Sequence, residues 1–407
     1  GAKKTLEAHF AGDKNGKIEL HSQKEVDALV EKLQKEKFEV LSVKNGERRK
    51  KPPLPFTTST LQQEASKRLN MSTQKTMRLA QELYEGVTLK GKGSVGLITY
   101  LRTDSTRISE EADASCREYI AQQYGEQFVG DKTAVKSSKT GKIQDAHEAI
   151  RPTDSSLSPA MLKEQLPRDL FRLYQLIWTR FLASRMAEAV YETTSVKIGA
   201  GDYRFNVAAS KVKFDGFMTV YSYDSEKSTM NAAMKKITKD TEITLSGLDP
   251  QQHFTQPPAH FTEASLVKTL EELGIGRPST YAPTITTLLA RRYIVKESKN
   301  LYITELGEAV NDMMEDGFPT IVDVNFTANM ESLLDGEEEG KVKWKTIVEN
   351  FYPDMMQAVE KAEKELEEVK IEDEVSEEVC EECGRNMVIK YGPHGKFLAC
   401  PGFPECR

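Results

Sequence analysis

The sequence predicts a multidomain α+β protein, and three observations carry that expectation. Stretches of alternating apolar and polar residues flank a long helical region on both sides. A helix–turn–helix–strand pattern occurs twice, and four of the five cysteines cluster near the C-terminus. A chain of 407 residues corresponds to two to four domains at about 100–200 residues each. With 38% hydrophobic and 29% charged residues the composition is globular, which excludes collagen-like, mucin-like and wholly disordered classes. No apolar run approaches the ~18 uncharged residues of a membrane span. The best stretch, Leu170–Met186, is interrupted by Arg172, Arg180 and Arg185. No signal peptide opens the chain. It begins Gly1-Ala2 without an initiator methionine, which reads as an internal fragment behind a short cloning scar.

In chain order, Ser22–Leu33 reads as a helix, Phe38–Val43 as a strand and Pro52-Pro53-Leu54-Pro55 as a hinge. Ser59 with Gln62 three residues on fits a capping box, ahead of an apolar face at Leu61, Ala65 and Leu69. Asn70-Met71 makes a turn. Ser72 caps a second helix with Met77, Ala80, Leu83 and Tyr84 on its apolar face, and a strand over Leu97–Tyr100 completes a winged helix-turn-helix. Residues 192–247 alternate, at Ser195–Ile198, Phe205–Val207, Val212–Phe214 and Ile243–Leu245, and predict antiparallel strands. The helical region 60–190 thus reads as an insertion between β-rich segments.

The second winged pattern starts at Thr262, a cap for a helix bearing Leu266, Val267, Leu270 and Leu273. Gly274–Pro278 turns the chain. Ser279 caps a helix with Ile285, Leu288 and Leu289, with Pro283 in its tolerant first turn and Arg291-Arg292 at its end. Tyr293–Glu297 and Leu301–Ile303 form its wing. Such modules bind nucleic acid in most settings and protein in others. Glu337–Glu339 and the run Val359–Val369 then lead through a charged linker to Cys380, Cys383, Cys400 and Cys406. The spacing C-x2-C-x16-C-x5-C, with strands at Met387–Tyr391 and Lys396–Ala399 around a Gly392–Gly395 turn, is that of a four-cysteine zinc ribbon. Two disulfides are the alternative, and a reducing compartment favours Zn2+. Cys116 stands alone as a buried small hydrophobe.

The net charge of −7 argues against nucleic acid until its distribution is read. Residues 331–382 hold 19 acidic and 6 basic side chains, whereas residues 41–110 hold 13 basic and 6 acidic. Counterion release depends on local charge, so the basic stretch is compatible with phosphate binding, while the acidic stretch reads as a solvated helix and linker.

Two stretches could carry chemistry. Tyr100 at the end of an apolar strand, with Arg102 at +2 and Asp104 at +4, places three side chains on one face. A phenol with a pKa near 10 is a poor nucleophile at neutral pH, and a nearby guanidinium favours the phenolate and can hold a phosphate oxygen. A strand tyrosine can equally be packing. In His147-Glu148-Ala-Ile-Arg151 the spacing is not that of a zinc protease. A helix over Ala146–Ile150 would put His147 and Arg151 on one face, able to grip one phosphate.

Four motifs together resemble the bacterial DNA topoisomerase I family, type IA: Pro55-Phe-Thr-Thr-Ser59-Thr-Leu-Gln-Gln63, Gly96-Leu-Ile-Thr-Tyr100-Leu-Arg-Thr-Asp-Ser-Thr106, His147-Glu-Ala-Ile-Arg-Pro-Thr153 and Gly274-Ile-Gly-Arg-Pro-Ser-Thr-Tyr-Ala282. They occur in the family's order over almost the whole chain. The resemblance implies that Tyr100 is the nucleophile that forms a 5′-phosphotyrosyl intermediate. It makes Arg102 the residue orienting the scissile phosphate, and His147 a support through a network with Asp104, with Arg151 contributing charge. Arg277, Ser279 and Thr280 would hold the single-strand backbone. The implied architecture is a toroid. Residues 1–58 and 187–255 form a β-rich arch, 59–186 the tyrosine-bearing winged-helix domain, 256–370 a second winged-helix domain, and 371–407 an acidic linker and the ribbon.

The family's Mg2+ site lies in an N-terminal Toprim domain built around a catalytic Glu and an Asp-x-Asp cluster, and this chain contains no Asp-x-Asp. The expectation is therefore a parent enzyme that relaxes negatively supercoiled DNA, of which this fragment alone cannot. Single-stranded and negatively supercoiled DNA are the expected partners, the monomer the expected state, and the bacterial cytoplasm and its nucleoid the location. A tyrosine recombinase would place its nucleophile after the Arg and His residues, whereas Tyr100 precedes His147. The alternatives carried forward are a topoisomerase III-type decatenase and a non-enzymatic winged-helix/zinc-ribbon protein that binds single-stranded DNA.

Overall fold

The computed structural model describes residues 5–131, 147–222, 229, 234–366, 373–392 and 395–406. It divides into two compact units, Gly1–Ala259 and His260–Arg407.

The first unit joins a four-stranded sheet to a helical body. β1 (His9–Asp13) leads to α1 (Gln23–Lys35), whose N-terminus is closed by the Ser22 hydroxyl accepting from the Glu25 N–H. β2 (Phe38–Lys50) follows, longer than the pattern at Phe38–Val43 implied. Its second half is polar because the strand lies at the sheet edge, where pairing and not burial holds it. The chain then leaves the sheet for α2 (Thr58–Leu69), α3 (Thr73–Glu85), the hairpin β3 (Val87–Leu89) and β4 (Gly93–Val95), α4 (Glu110–Tyr124), α5 (Pro159–Leu162) and α6 (Arg168–Ser184). It returns as β5 (Ala189–Ala200) and β6 (Tyr203–Phe214), giving the antiparallel order β1-β6-β5-β2. β2 and β5 pair along their whole length, from Phe38↔Ala200 to Lys50↔Ala189, so the helical body leaves and re-enters at one end of one strand pair. Gly201, at φ +57, turns β5 into β6.

Leu33, Val40, Val196, Ile198 and Phe205 form the sheet's core. Strands were expected throughout 192–247. Beyond Phe214 the described residues hold a 3₁₀ turn at Gly216–Thr219 and one bridge, Glu39↔Glu242, while 223–228 and 230–233 lie outside them. Ile243 and Leu248 nonetheless pack against the sheet core, so their alternation records burial against the sheet and not pairing within it.

The helical body has its own core, built around Phe56, Leu61, Leu83, Leu101, Ile120, Leu173, Tyr174 and Phe181, all at most 1% exposed. Two of its buried aromatics have their polar ends paired: the Tyr174 hydroxyl donates to the Leu157 carbonyl at 2.6 Å and Trp178 Nε1 to the Ser155 carbonyl at 3.0 Å. α2 begins two residues earlier than the Ser59 cap implied. Thr57 is the N-cap, in a capping box with Thr60, and the Ser59 hydroxyl instead accepts from the Gln63 amide at 2.9 Å. Asn70, at φ +55, makes the turn, and Ser72 caps α3.

The second unit opens with α7 (Glu263–Glu272), which Thr262 closes in a capping box with Ser265, and α8 (Tyr281–Ala290). Ser279 does not cap α8. Thr280 is its N-cap residue and spends its hydroxyl on Arg277, accepting from the N–H at 2.9 Å, so Pro283 is the third helical residue, where an N–H has no helical partner anyway. β7 (Ile294–Glu297) and β8 (Asn300–Ile303) form the wing, joined through Ser298 at φ +56. α9 (Glu305–Gly317), α10 (Pro319–Val322), α11 (Val324–Glu338) and α12 (Trp344–Glu365) follow. Of the expected run to Val369, residues 367–370 lie outside the described residues. β9 (Glu374–Val379), β10 (Asn386–Gly392) and β11 (Gly395–Ala399) make a three-stranded antiparallel sheet. The expected turn falls between the last two, and its residues 393 and 394 lie outside the description. No helix among the described residues is long and apolar enough to cross a membrane.

Candidate active site

Leu97–Tyr100 does not form the expected strand. It bends at Thr99 and meets its neighbours singly: Ile98 bridges Pro152, the Leu97 N–H donates to the Leu83 carbonyl at 2.8 Å, and the Thr99 N–H donates to the Arg151 carbonyl at 2.9 Å. Flanked by helix ends and loops, it has no strand with which to form a ladder. From Leu101 to Ser105 the side chains still alternate. Leu101, Thr103 and Ser105 are buried, while Arg102 and Asp104 are exposed and Tyr100 is half-buried. The spacing thus puts Tyr100, Arg102 and Asp104 on the outward side.

The inward residues are clamped. The Thr58 hydroxyl, at the start of α2, donates to the Leu101 carbonyl at 2.7 Å and accepts from the Thr103 N–H at 2.9 Å. The Thr99 hydroxyl donates to the Ala149 carbonyl at 2.7 Å and accepts from the Arg151 N–H at 3.0 Å. The Ile150 N–H donates to the Phe56 carbonyl at 2.8 Å. Three of the sequence motifs, around Pro55, Tyr100 and His147, therefore converge on one knot of backbone.

His147–Ile150 is not helical, so His147 and Arg151 do not share a helix face; Ala146 lies outside the described residues. With Ala149 and Ile150 fully buried and hydrogen-bonded to Arg107 and Phe56, the segment is fixed in extended form. That brings the exposed His147 ring onto Tyr100, with centroids 4.7 Å apart. The Tyr84 ring, from the last turn of α3, meets Tyr100 edge-on at 5.5 Å. Among the described residues neither the Tyr100 hydroxyl nor the Arg102 guanidinium has a protein partner, so both are available to a ligand.

Arg151 is placed differently. Its Nε and a terminal nitrogen hold Glu148 Oε2 at 2.9 and 2.6 Å, with side chains only 13% and 16% exposed, and Glu148 Oε1 accepts the Ser109 N–H at the start of α4. Burial would raise the Glu148 carboxyl. The Ser109 hydroxyl and the Arg151 guanidinium outweigh it and hold the group below the ordinary range. Glu148 was not singled out from sequence. Its signal was its position three residues before Arg151 in the same motif. Tyr84 was read only as part of an apolar helix face, yet it is 40% exposed.

In the second unit Ser279 and Thr280 are exposed. The Arg277 guanidinium lies 2.7 Å from Asp335 and 3.7 Å from Glu331 of α11. A cavity of about 530 Å³ among α9–α12 is lined by apolar side chains such as Phe318, Phe326, Met330 and Phe351 and gathers no catalytic set.

The four ribbon cysteines form the one group of metal-ligating side chains found among the described residues, with ligand atoms within 4.8 Å of one another. Cys380 and Cys406 Sγ are 3.6 Å apart and Cys383 and Cys400 Sγ 3.4 Å. Tetrahedral Zn–S bonds of about 2.3 Å require sulfur separations of roughly 3.8 Å, so the thiols fit Zn2+ with little movement. The four thiols share their protons: N–H groups of Cys383 and Glu382 lower the Cys380 thiol, while the neighbouring cysteines raise Cys400 and Cys406, so a bound metal would have to displace protons from the set. The described residues around Tyr100 gather no carboxylate cluster to hold Mg2+.

The family described as DNA topoisomerase matches residues 2–349, and that described as topoisomerase DNA binding C4 zinc finger matches residues 377–407. The chain is similar in structure to full-length topoisomerase I from Thermotoga maritima, with a TM-score of 0.70 and 35% identity over 94% of this chain. It spans 61% of that protein's length. With the tyrosine motif, the clamped segment and the four-cysteine ribbon all in place, the chain belongs to the bacterial type IA DNA topoisomerase family.

Proposed function

We propose that the chain carries the cleavage and religation tyrosine of a type IA DNA topoisomerase that relaxes negatively supercoiled DNA. The observation that carries this reading is the outward side of the clamped segment, where the Tyr100 hydroxyl and the Arg102 guanidinium stand two residues apart, without protein partners among the described residues. The Tyr100 oxygen attacks a single-strand phosphodiester. A bond from oxygen to phosphorus forms, the bond to the 3′ oxygen breaks, and the proton released by the phenol balances the one taken up by the 3′ hydroxyl. The 5′-phosphotyrosyl link stores the ester for religation by the reverse step. Arg102 neutralises charge on the phosphate as it builds. His147 supports the phenol through its ring contact, with Asp104 beside Arg102. Arg151 acts at one remove, fixing Glu148 through its guanidinium and Thr99 through its own backbone N–H and carbonyl.

Arg277, Ser279 and Thr280 hold the single-strand backbone on this reading, and Zn2+ holds the ribbon. Mg2+ belongs to the N-terminal Toprim domain of the family, and no step here is assigned to it. The four-part division from arch to ribbon, the monomeric state and a cytoplasmic site on the nucleoid complete the reading. The test is an end-labelled single-stranded oligonucleotide mixed with the chain and denatured in SDS, with and without the N-terminal region supplied in trans. Label on the protein that needs both that region and Tyr100 supports the assignment. An adduct that persists in Tyr100→Phe refutes it.

A further inference from the structure

The last turn of α3 is held against the segment that carries Tyr100. The Leu97 N–H donates to the Leu83 carbonyl at 2.8 Å, and a Cβ at Gly96 would stand 2.8 Å from the Tyr84 carbonyl oxygen. The close approach admits only glycine and sets Tyr84 at a fixed place beside Tyr100. The neighbouring apolar residues of α3, Leu79, Ala80 and Leu83, are at most 4% exposed, whereas Tyr84 is 40% exposed. Tyrosines that serve the core here, Tyr174, Tyr191 and Tyr221, are at most 5% exposed, and each hydroxyl has a hydrogen-bond partner. Tyr84 has none among the described residues. It is not a core residue that happens to reach the surface.

Among the described residues its one ring contact is to Tyr100, edge to face at 5.5 Å and 67°. Such a contact occupies at most one face of Tyr84 and leaves the other open. Proteins that hold unpaired strands combine cations on the backbone with aromatic faces on which bases stack, and the stacking tolerates any base. Both parts are present here: Arg102 for the phosphate and Tyr84 for a base. Resting on the reading of Tyr100 as nucleophile, we propose that Tyr84 is the stacking platform for the nucleobase adjoining the phosphodiester that Tyr100 attacks. The base holds the scissile phosphate in line with the phenol and makes cleavage selective for an unpaired, stackable nucleotide at that position.

The test uses the full-length protein that contains this chain and an oligonucleotide with a single mapped cleavage site. Binding is measured in a Tyr100→Phe background, which keeps the ring and prevents covalent capture. Oligonucleotides carrying an abasic residue on either side of the scissile phosphate are compared with the intact strand. One of the two abasic strands should bind about 5- to 100-fold more weakly, the range expected for loss of one stacked base. Tyr84→Ala should weaken the intact strand by a similar factor and lose nothing further with that abasic strand, while Tyr84→Phe and Tyr84→Trp bind within about two-fold. Equal binding of both abasic strands and the intact strand overturns the proposal without any mutation at Tyr84. So do multiplying losses from Tyr84→Ala and the abasic residue, which would mean that Tyr84 acts elsewhere. SDS trapping with the Tyr100 protein reports separately on the nucleophile, so failure of that assignment is read from a different assay.

Discussion

Glu148 holds three things at once: the Ser109 N–H at the start of α4, and Arg151 through two of its guanidinium nitrogens. Arg151 in turn holds Thr99 through its backbone, one residue before Tyr100. Glu148→Gln keeps the shape, removes the charge and replaces one acceptor oxygen with a donor that faces the guanidinium. Hydrogen bonds to a charged group contribute about 1.5–3 kcal/mol each, and breaking a fully buried pair costs about 3–5 kcal/mol. With side chains 13% and 16% exposed, water recovers part of that, and about 2 kcal/mol is the expected local loss. At 1.4 kcal/mol per decade, amides of this knot, Thr99 and Ile150 among them, should exchange with solvent roughly 30-fold faster in native-state hydrogen exchange. Glu111→Gln, an exposed neighbour on α4, serves as the control. The sign with pH follows from the same contacts. The folded-state carboxyl is depressed, so its contribution is present above the unfolded pKa and is lost as pH falls through the folded one. The wild-type and variant exchange rates should therefore converge in acid. A change below two-fold at neutral pH, or a difference that persists at low pH, would refute this account of Glu148.

Three further outcomes are expected. Asp113 accepts from Arg117 at 2.7 Å and from Arg185 at 2.9 Å, with arginine side chains at most 9% exposed. Asp113→Ala should thus cost about 3 kcal/mol in the helical body, read as a lower thermal midpoint of Gly1–Ala259 with that of the second unit unchanged. Removing metal with a strong chelator, or Cys383→Ser, should abolish binding of one Zn2+ per chain and unfold residues 374–399 without changing the melting of the first unit, checked by metal analysis and by exchange over β9–β11. Gly96→Ala must displace the Tyr84 carbonyl, 2.8 Å from the new Cβ, and should lower SDS-trapped adduct about ten-fold or more in the full-length protein while leaving its melting within a few degrees. An unaltered adduct yield would show that the α3 clamp does not position Tyr100.

What was legible in the sequence was local. Ser72 and Thr262 cap the helices they precede because a hydroxyl three residues before an N–H is enough to close a turn, whatever lies around it. The ribbon could be read for a similar reason, since thiolate spacing restricts geometry without help from the rest of the fold. Thr57 against Ser59 shows the limit. Both spacings fit a cap, and the choice is made by Leu101 and Thr103, more than forty residues away, which engage Thr58 and fix where the helix begins. The same holds for Leu97–Tyr100 and His147–Ile150, which have the composition of a strand and a helix but whose neighbours offer only single bridges. Tyr84 was invisible as a surface residue because helical spacing reports which residues lie on one face and not where that face runs out at the helix end.

The tyrosine-bearing body and the sheet are covalently continuous only at one end of the β2–β5 pair, and side chains reinforce that crossing. Arg180 of α6 donates to the Leu54 carbonyl at 2.6 Å and to the Tyr221 hydroxyl at 3.0 Å, and its guanidinium stacks over Phe56. Tyr221, beyond β6, donates to Glu64 of α2 at 2.7 Å, and Arg68 both pairs with Glu64 and stacks on the Tyr221 ring. The outgoing segment, the returning helix and the chain beyond the sheet thus meet in one partly buried network. Pro52, Pro53 and Pro55 stiffen the outgoing segment itself. Arg180 thus ties α6 to the segment before α2 and to the chain beyond β6. The body is held there by these polar contacts together with apolar packing, since Ala189 and Tyr191 of β5 and Phe217 and Tyr221 beyond β6 are buried in the same core as Leu173 and Phe181. The polar contacts can be exchanged for water as they separate, whereas the apolar part has to be exposed outright, so any opening at the crossing is limited by the buried apolar residues.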